Sequence, residues 1–375
     1  MHDEDSKKEF ESRKNKLIEI MDANRLEGIL IFSTMLRKEN IRYFTGFNPL
    51  EPGASALFRK NGESLLVVHT LEEGERAEDS FVETCILNDS AHHETTSSIK
   101  KYGIKKRLGI IGWEYIPARL VIEIRRACPN LALADVTHAA SEIRLIKTGS
   151  EIRRIGQAAK IADTAFESLL QSLRPGLREY EIIAQTEYEI RRSNGEDNFQ
   201  LLASGKGESR AMHPPSKRRL QSGDLFLTEI SPQYEGYFAQ ICRSVVLGEI
   251  SKGRQQAFEI LFEAQDQAIK RVRPGMTASE LAKIQNDVFR REGFGEFVTE
   301  KYTRGRGHGI GLYIDEEPLI AEGNNTVLEE GMVIMIHPNT YLPISGYIVL
   351  GDPVLITGKG GKRLSSSDRR LSSVS

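Results

Sequence analysis

Two stretches of this chain repeat one another, and the repetition limits the folds open to it. Arg174-Pro175-Gly176 recurs as Arg273-Pro274-Gly275, and Arg191-Arg192 recurs at the same offset as Arg290-Arg291. Each Arg-Pro-Gly is preceded by a long helical segment and followed by another. Further on, "LQSGDLFLTEI" (220–230) aligns with "LEEGMVIMIHP" (328–338). The order helix, Arg-Pro-Gly, helix, strand is therefore present twice, which implies an internal duplication with a few extra residues in the second copy. Two related strands meeting at a pseudo-twofold axis bring their ends into one cavity. Those ends are Glu229 after "DLFLT" and His337 after "MVIMI", an ionisable group closing each apolar strand. Burying a carboxylate alone is expensive, so partners are expected close to Glu229.

The region ahead of the duplication alternates strand and helix. Residues 9–27 carry Phe10, Leu17, Ile18, Met21 and Leu26 at helical spacing, with Gly28 as the expected stop and "ILIFS" as a buried strand. "ALFRKNGESLLVV" reads as a hairpin turning at Asn61-Gly62. "RLGIIG", "ARLVIEIRRACPN" and "LALADV" continue as strand, helix, strand. Residues 1–136 are thus expected to form one α/β domain and residues 137–358 a second. The stretch 359–375, basic and Ser/Gly-rich, is expected to be a mobile tail.

Composition narrows the partners. The chain of 375 residues carries 51 Lys plus Arg against 53 Asp plus Glu, a net charge of −2. That balance points away from nucleic acid or an anionic membrane. No apolar stretch approaches the ~20 residues of a membrane span, and the charged start lacks the apolar core of a signal peptide. Cys85, Cys128 and Cys242 are odd in number and far apart, which argues against a disulfide framework and for a reducing, cytoplasmic setting.

Specific motifs then carry a resemblance. "NIRYFTGF", the two Arg-Pro-Gly helix pairs, His213-Pro214, "GHGIGL" (307–312) and "EEP" (316–318) resemble the creatinase/prolidase/aminopeptidase P family over about residues 10–357. The resemblance implies an α/β fold class: a creatinase-like N-terminal α/β domain plus a C-terminal pita-bread domain, itself a duplicated α+β unit. It also implies a homodimer. Peptidases of that family hold two divalent metals on Asp, Asp, His, Glu and Glu. In this chain those positions fall on Glu229, Gln240, His308, His337 and about Gly351, and the family His ahead of "E-x-P" falls on Asp315. Asp352, one place on, faces the wrong way in a strand.

One carboxylate is left where the family has four, and two adjacent dications would repel with little compensation. The favoured expectation is therefore a metal-independent hydrolase of a C–N (amide, amidine or imidopeptide) bond in a small molecule, with no cofactor. Creatinase is the precedent, and its general base corresponds to His213. His308 and His337 would polarise or orient, and Glu229 would bind a cation or hold a histidine. Two other readings stay open. One is an Xaa-Pro dipeptidase or aminopeptidase with a single divalent metal on His308, His337 and Glu229; the other is a non-catalytic binding module.

Strand alternation places Gln240 and Cys242 on one face, lining the pocket, where Cys242 is either a thiolate nucleophile activated by neighbouring histidines or a small packing residue, the commoner role of a buried free Cys. Arg304 replaces a family His, and a guanidinium there would clamp a substrate carboxylate. Arg243 and Arg306 lie near motif positions as further substrate contacts. Asp315, Glu316 and Glu317 occupy the "E-P" loop, where Glu316 or Glu317 would orient His308 or His213.

Overall fold

The first 144 residues, of alternating strands and helices, and the duplicated remainder separate in the computed structural model as two compact units, Met1–Arg144 and Leu145–Ser375. The structure describes residues 4–51, 53–87, 90–207 and 211–375. The boundary lies beyond the expected residue 136, because helix Thr137–Ile143 buries Ala140 within the first unit. Arg144 Nη1 also donates to Asn40 Oδ1 at 3.1 Å.

The first unit is built on a six-stranded sheet with spatial order Thr84–Leu87, Ser64–Val68, Ser55–Arg59, Gly28–Phe32, Arg107–Ile111, Ala132–Asp135. Strand Gly28–Phe32 is buried along its whole length. That matches its continuous apolar sequence and its parallel pairing with Arg107–Ile111. The hairpin turns at Asn61-Gly62 as expected. The opening helix stops earlier than its apolar spacing suggests, at Ala23. Arg25 takes a positive φ of 54°, and Gly28 starts the strand instead of ending the helix.

The second unit shows the duplication as structure. Helices Gly149–Ser172 and Glu179–Arg192 precede strands Asp197–Gly205, Leu225–Tyr234 and Ile241–Leu247. Helices Lys252–Arg271 and Ala278–Arg291 precede strands Gly307–Gly309, Val333–Ile336 and Asp352–Thr357. Capping boxes start one helix of each pair, Thr148 with Glu151 and Thr277 with Glu280, satisfying N–H groups that would otherwise lack partners. The two Arg-Pro-Gly turns are equivalent in detail. Gly176 (φ 92°) and Gly275 (φ 89°) donate their N–H to Leu220 O and Leu328 O, each at 2.8 Å. Nothing stands where a side chain would project at either position, so the left-handed backbone, not crowding, calls for glycine.

The two half-sheets join where Cys242 and Gly351 exchange backbone hydrogen bonds, each 3.0 Å long. This join sits beside the ends of both repeated strands, and so positions the site.

The C-terminal stretch is not the mobile tail its composition suggests. Gly360–Arg363 pairs with Asp352–Thr357, and Ser372–Val374 runs parallel to Ile241–Leu247. Between them, Ser366 and Ser367 donate to the buried carboxylate of Asp163, and Ser365 donates to Asp352. Its few apolar groups are no obstacle, because its polar groups satisfy buried charges and its backbone covers sheet edges. Among the described residues no helix is long and apolar enough to cross a membrane.

Candidate active site

Strand ends, a Gly-rich strand and a loop converge on a cavity of about 300 Å³ in the second unit. Its wall includes Glu229 from the first repeat, His337 and Asn339 from the second, His308, Arg304, Tyr302, Tyr347 and Met212. The pairing of Glu229 with His337 expected from the duplication is thus present. Asn339, Tyr347, Tyr302 and Met212 were not legible as site residues. Asn339 alone carried a signal, lying two places after His337 and so on the same face of an extended chain.

The ionisable groups here are set by burial. Glu229 has its carboxyl pushed up to about 7, chiefly because the apolar surroundings disfavour its charge; nearby Asp315 adds to the effect. Among the described residues its carboxyl has one hydrogen bond, from Cys242 Sγ at 3.6 Å. His337 is pushed down to about 3, first by burial and then by the His308 ring and by Arg304 and Arg306. Its Nδ1 is buried without a hydrogen-bond partner among the described residues. His308 is also lowered, mainly by burial. Its ring centroid lies 5.0 Å from that of His337, tilted by 59°. His308 Nδ1 lies 2.8 Å from Gly309 O. A carbonyl only accepts, so Nδ1 carries the proton and the lone pair of the neutral ring sits on Nε2.

Several expected site residues lie elsewhere. His213 is exposed, with Nδ1 2.6 Å from Pro214 O; its neighbours Ala211 and Met212 line the cavity and it does not. Cys242 is fully buried, and burial together with Glu229 raises its thiol well above the ordinary range. A thiolate nucleophile is therefore disfavoured; the histidines meant to lower it are themselves neutral, and its nearest acid raises it further. Gln240 is buried with Nε2 on Ser231 Oγ at 3.3 Å, off the cavity wall. Arg243 is no substrate contact: it is 1% exposed, paired with Asp352 at 2.7 Å, and donates to the carbonyls of Cys242, Gly351 and Asp368.

The acidic loop also divides differently from expectation. Glu317 is exposed and accepts from Leu319 N, and Glu316 is buried, pairs with Lys147 at 3.2 Å and accepts from Tyr313 N at 3.2 Å. Asp315 instead pairs with Arg304, its other oxygen 3.7 Å from His308 Nδ1. Arg304 lines the cavity, whereas Arg306 is buried behind it, off the cavity wall.

A pair of divalent cations would need several carboxylates here to balance its charge. The residues present do not fit one. Glu229 is the one carboxylate among the described wall residues, and Gln240 is neutral and turned to Ser231. A Cβ on Gly351 would stand 2.8 Å from His337 Cβ and 2.9 Å from Cys242 Sγ, so no side chain fits there without a shift of its neighbours. Among the described residues no three His, Cys, Asp or Glu side chains form a group able to hold a metal ion. Glu229, His308 and His337 share the cavity without forming such a group. The crowding at Gly351 gives a direct expectation. Gly351→Ala should lower stability by about 1–3 kcal/mol through overpacking, read as a shift in the urea midpoint.

Comparison with known proteins agrees with this architecture. Residues 13–146 match the creatinase/prolidase N-terminal domain, and residues 153–358 match metallopeptidase family M24. The chain is 31% identical over 365 residues to the Xaa-Pro dipeptidase of Pyrococcus furiosus, covering 96% of this chain and 100% of that protein. It is 29% identical over 358 residues to the Xaa-Pro dipeptidase of Pyrococcus horikoshii, covering 95% and 97%. The crystal structure of the prolidase from Pyrococcus horikoshii superposes with a TM-score of 0.87 at 30% identity, over 96% of this chain and 99% of that one. The Xaa-Pro dipeptidase from Bacillus anthracis gives 0.87 at 26% identity, over 97% and 100%. With a creatinase/prolidase-type first domain and a pita-bread second domain, this chain belongs to metallopeptidase family M24.

Proposed function

We propose that this family member hydrolyses a C–N bond of a small, carboxylate-bearing molecule by acid–base chemistry carried by its own side chains. The observation that carries the reading is Glu229, a cavity-lining carboxyl pushed up to about 7 beside two neutral histidines. A group titrating near neutral pH both gives and takes a proton at low cost. His308 Nε2 accepts a proton from water as the oxygen adds to the amide or amidine carbon. Glu229 in its acid form protonates the departing nitrogen as the C–N bond breaks, and the proton on His308 then returns to Glu229. His337 is too weak a base for this and acts as a neutral polar group against the reacting atoms. Arg304 at the wall receives the substrate carboxylate, with Asp315 setting its position.

Relatives named as Xaa-Pro dipeptidases make Xaa-Pro dipeptides the first substrates to assay, with amides and amidines beside them. Purified protein stripped with EDTA should turn over its substrate at an unchanged rate, with substoichiometric metal by elemental analysis. Stoichiometric metal, with activity lost to chelator and restored by a divalent cation, would overturn the reading. Tight binding of dipeptides with no turnover would instead make the cavity a binding module.

A further inference from the structure

A second cavity, about 390 Å³, lies between helix Ala278–Arg291 and the loop ahead of "GHG". It shares only the wall residues Thr303, Arg304 and Gly305 with the catalytic cavity. Its most unusual wall residue is Arg306, 1% exposed and in no ion pair among the described residues. Arg306 Nε donates to Asn286 Oδ1, and Nη1 donates to Pro338 O and Asn339 O at 3.1 Å. The guanidinium carbon sits 4.7 Å from the centre of the Phe289 ring. Nη2 is buried and has no hydrogen-bond partner among the described residues. In a planar guanidinium Nε–H and one N–H of Nη2 lie along one edge, the fork that grips an oxyanion with two parallel bonds. Here Asn286, itself a wall residue of this cavity, occupies Nε, and Nη2 holds the remaining position on that edge.

The other charges of the wall are already balanced or outside. Arg290 pairs with Glu322 at 2.7 Å and with Asp287 at 2.8 Å, Arg304 pairs with Asp315, and Glu300 is exposed. One positive charge is thus left buried with no carboxylate among the described residues in direct contact, the nearest, Glu322, acting on it across Asn286, an arrangement costly to the fold. We propose that this cavity binds a small oxyanion, a phosphate or a carboxylate, through Arg306 Nη2. The volume leaves room for an organic group on the anion. The site is separate from the C–N chemistry proposed above and is read without any assay of activity.

The test is thermal unfolding and equilibrium titration of the full chain with sodium phosphate and, in a parallel arm, sodium acetate. Sodium chloride at matched ionic strength is the control. One or both oxyanions should raise Tm in a saturable way that chloride does not reproduce, and the arm that responds names the class of anion. Arg306→Met should weaken that affinity about tenfold or more, the loss of a charge-assisted hydrogen bond. Because Nη1 also holds Pro338 and Asn339, that variant has a second route to failure. Thr299→Trp supplies the control: it narrows the exposed side of the cavity and leaves every bond of Arg306 in place. It too should weaken binding about tenfold. No response beyond chloride in either arm, or equal responses in wild type and Thr299→Trp, would overturn the proposal.

Discussion

Glu229→Gln is expected to lower kcat on the order of 10²–10⁴-fold, the range for losing a positioned acid–base group. Wild-type activity should fall as pH rises above about 7, where the acid form of Glu229 is lost. The variant should lack that alkaline limb in its residual rate. The substitution should act on stability in the opposite sense. The folded pKa lies above the ordinary 4.5, so the folded state holds the proton more tightly than the unfolded chain. The contribution of Glu229 is therefore fully present below about pH 4.5 and is lost as pH rises through about 7. At pH 8 the Gln variant should be more stable than wild type by roughly 3 kcal/mol, and at pH 4 the two should match. Urea unfolding at both values, with a pH–rate profile, checks the pair of effects. A loss under tenfold with the alkaline limb intact would remove Glu229 from the chemistry.

His337 should dominate the acid side of the stability profile. Its folded pKa of about 3 lies below the ordinary 6.5, because burial and neighbouring positive charge penalise the imidazolium. The unfolded chain then takes up a proton at a pH where the folded chain does not. Stability from this ring is present above about pH 6.5 and is lost as pH falls toward 3, by roughly 4–5 kcal/mol in total. His337→Gln removes the titrating group, so its urea midpoint should change far less than that of wild type between pH 7 and 4. Equal acid losses in both proteins would mean that His337 is readily protonated in place, and its role as a neutral polar group in the cavity would fall with that result.

How much of this was legible in advance differs by residue. The N-terminal α/β domain and the duplicated half followed from local patterns, since strand and helix periods and turn residues act over a few neighbours. Glu229 and His337 were found through the repeat, because equivalent strands end at equivalent places. Arg243 and Cys242 were misjudged. Alternation gives the face of a strand, not what lies over that face: Asp352 and Ser367 cover that of Arg243, and Cys242, on the opposite face, is shut in beside Glu229. The C-terminal stretch was misjudged for a related reason, since composition counts apolar groups and is blind to buried carboxylates such as Asp163 and Asp352 that need donors. Arg304 and Arg306, two residues apart, were alike in sequence. One reaches the catalytic cavity and an acid, while the other is buried with a nitrogen to spare.

By itself the sequence determined the family and the duplication, because each is written in residue identities at short or repeated spacing. The tertiary structure decided the protonation of the site. Glu229 is raised and His337 lowered by burial and by neighbours distant in the chain, and the charge of a group depends on what surrounds it in space.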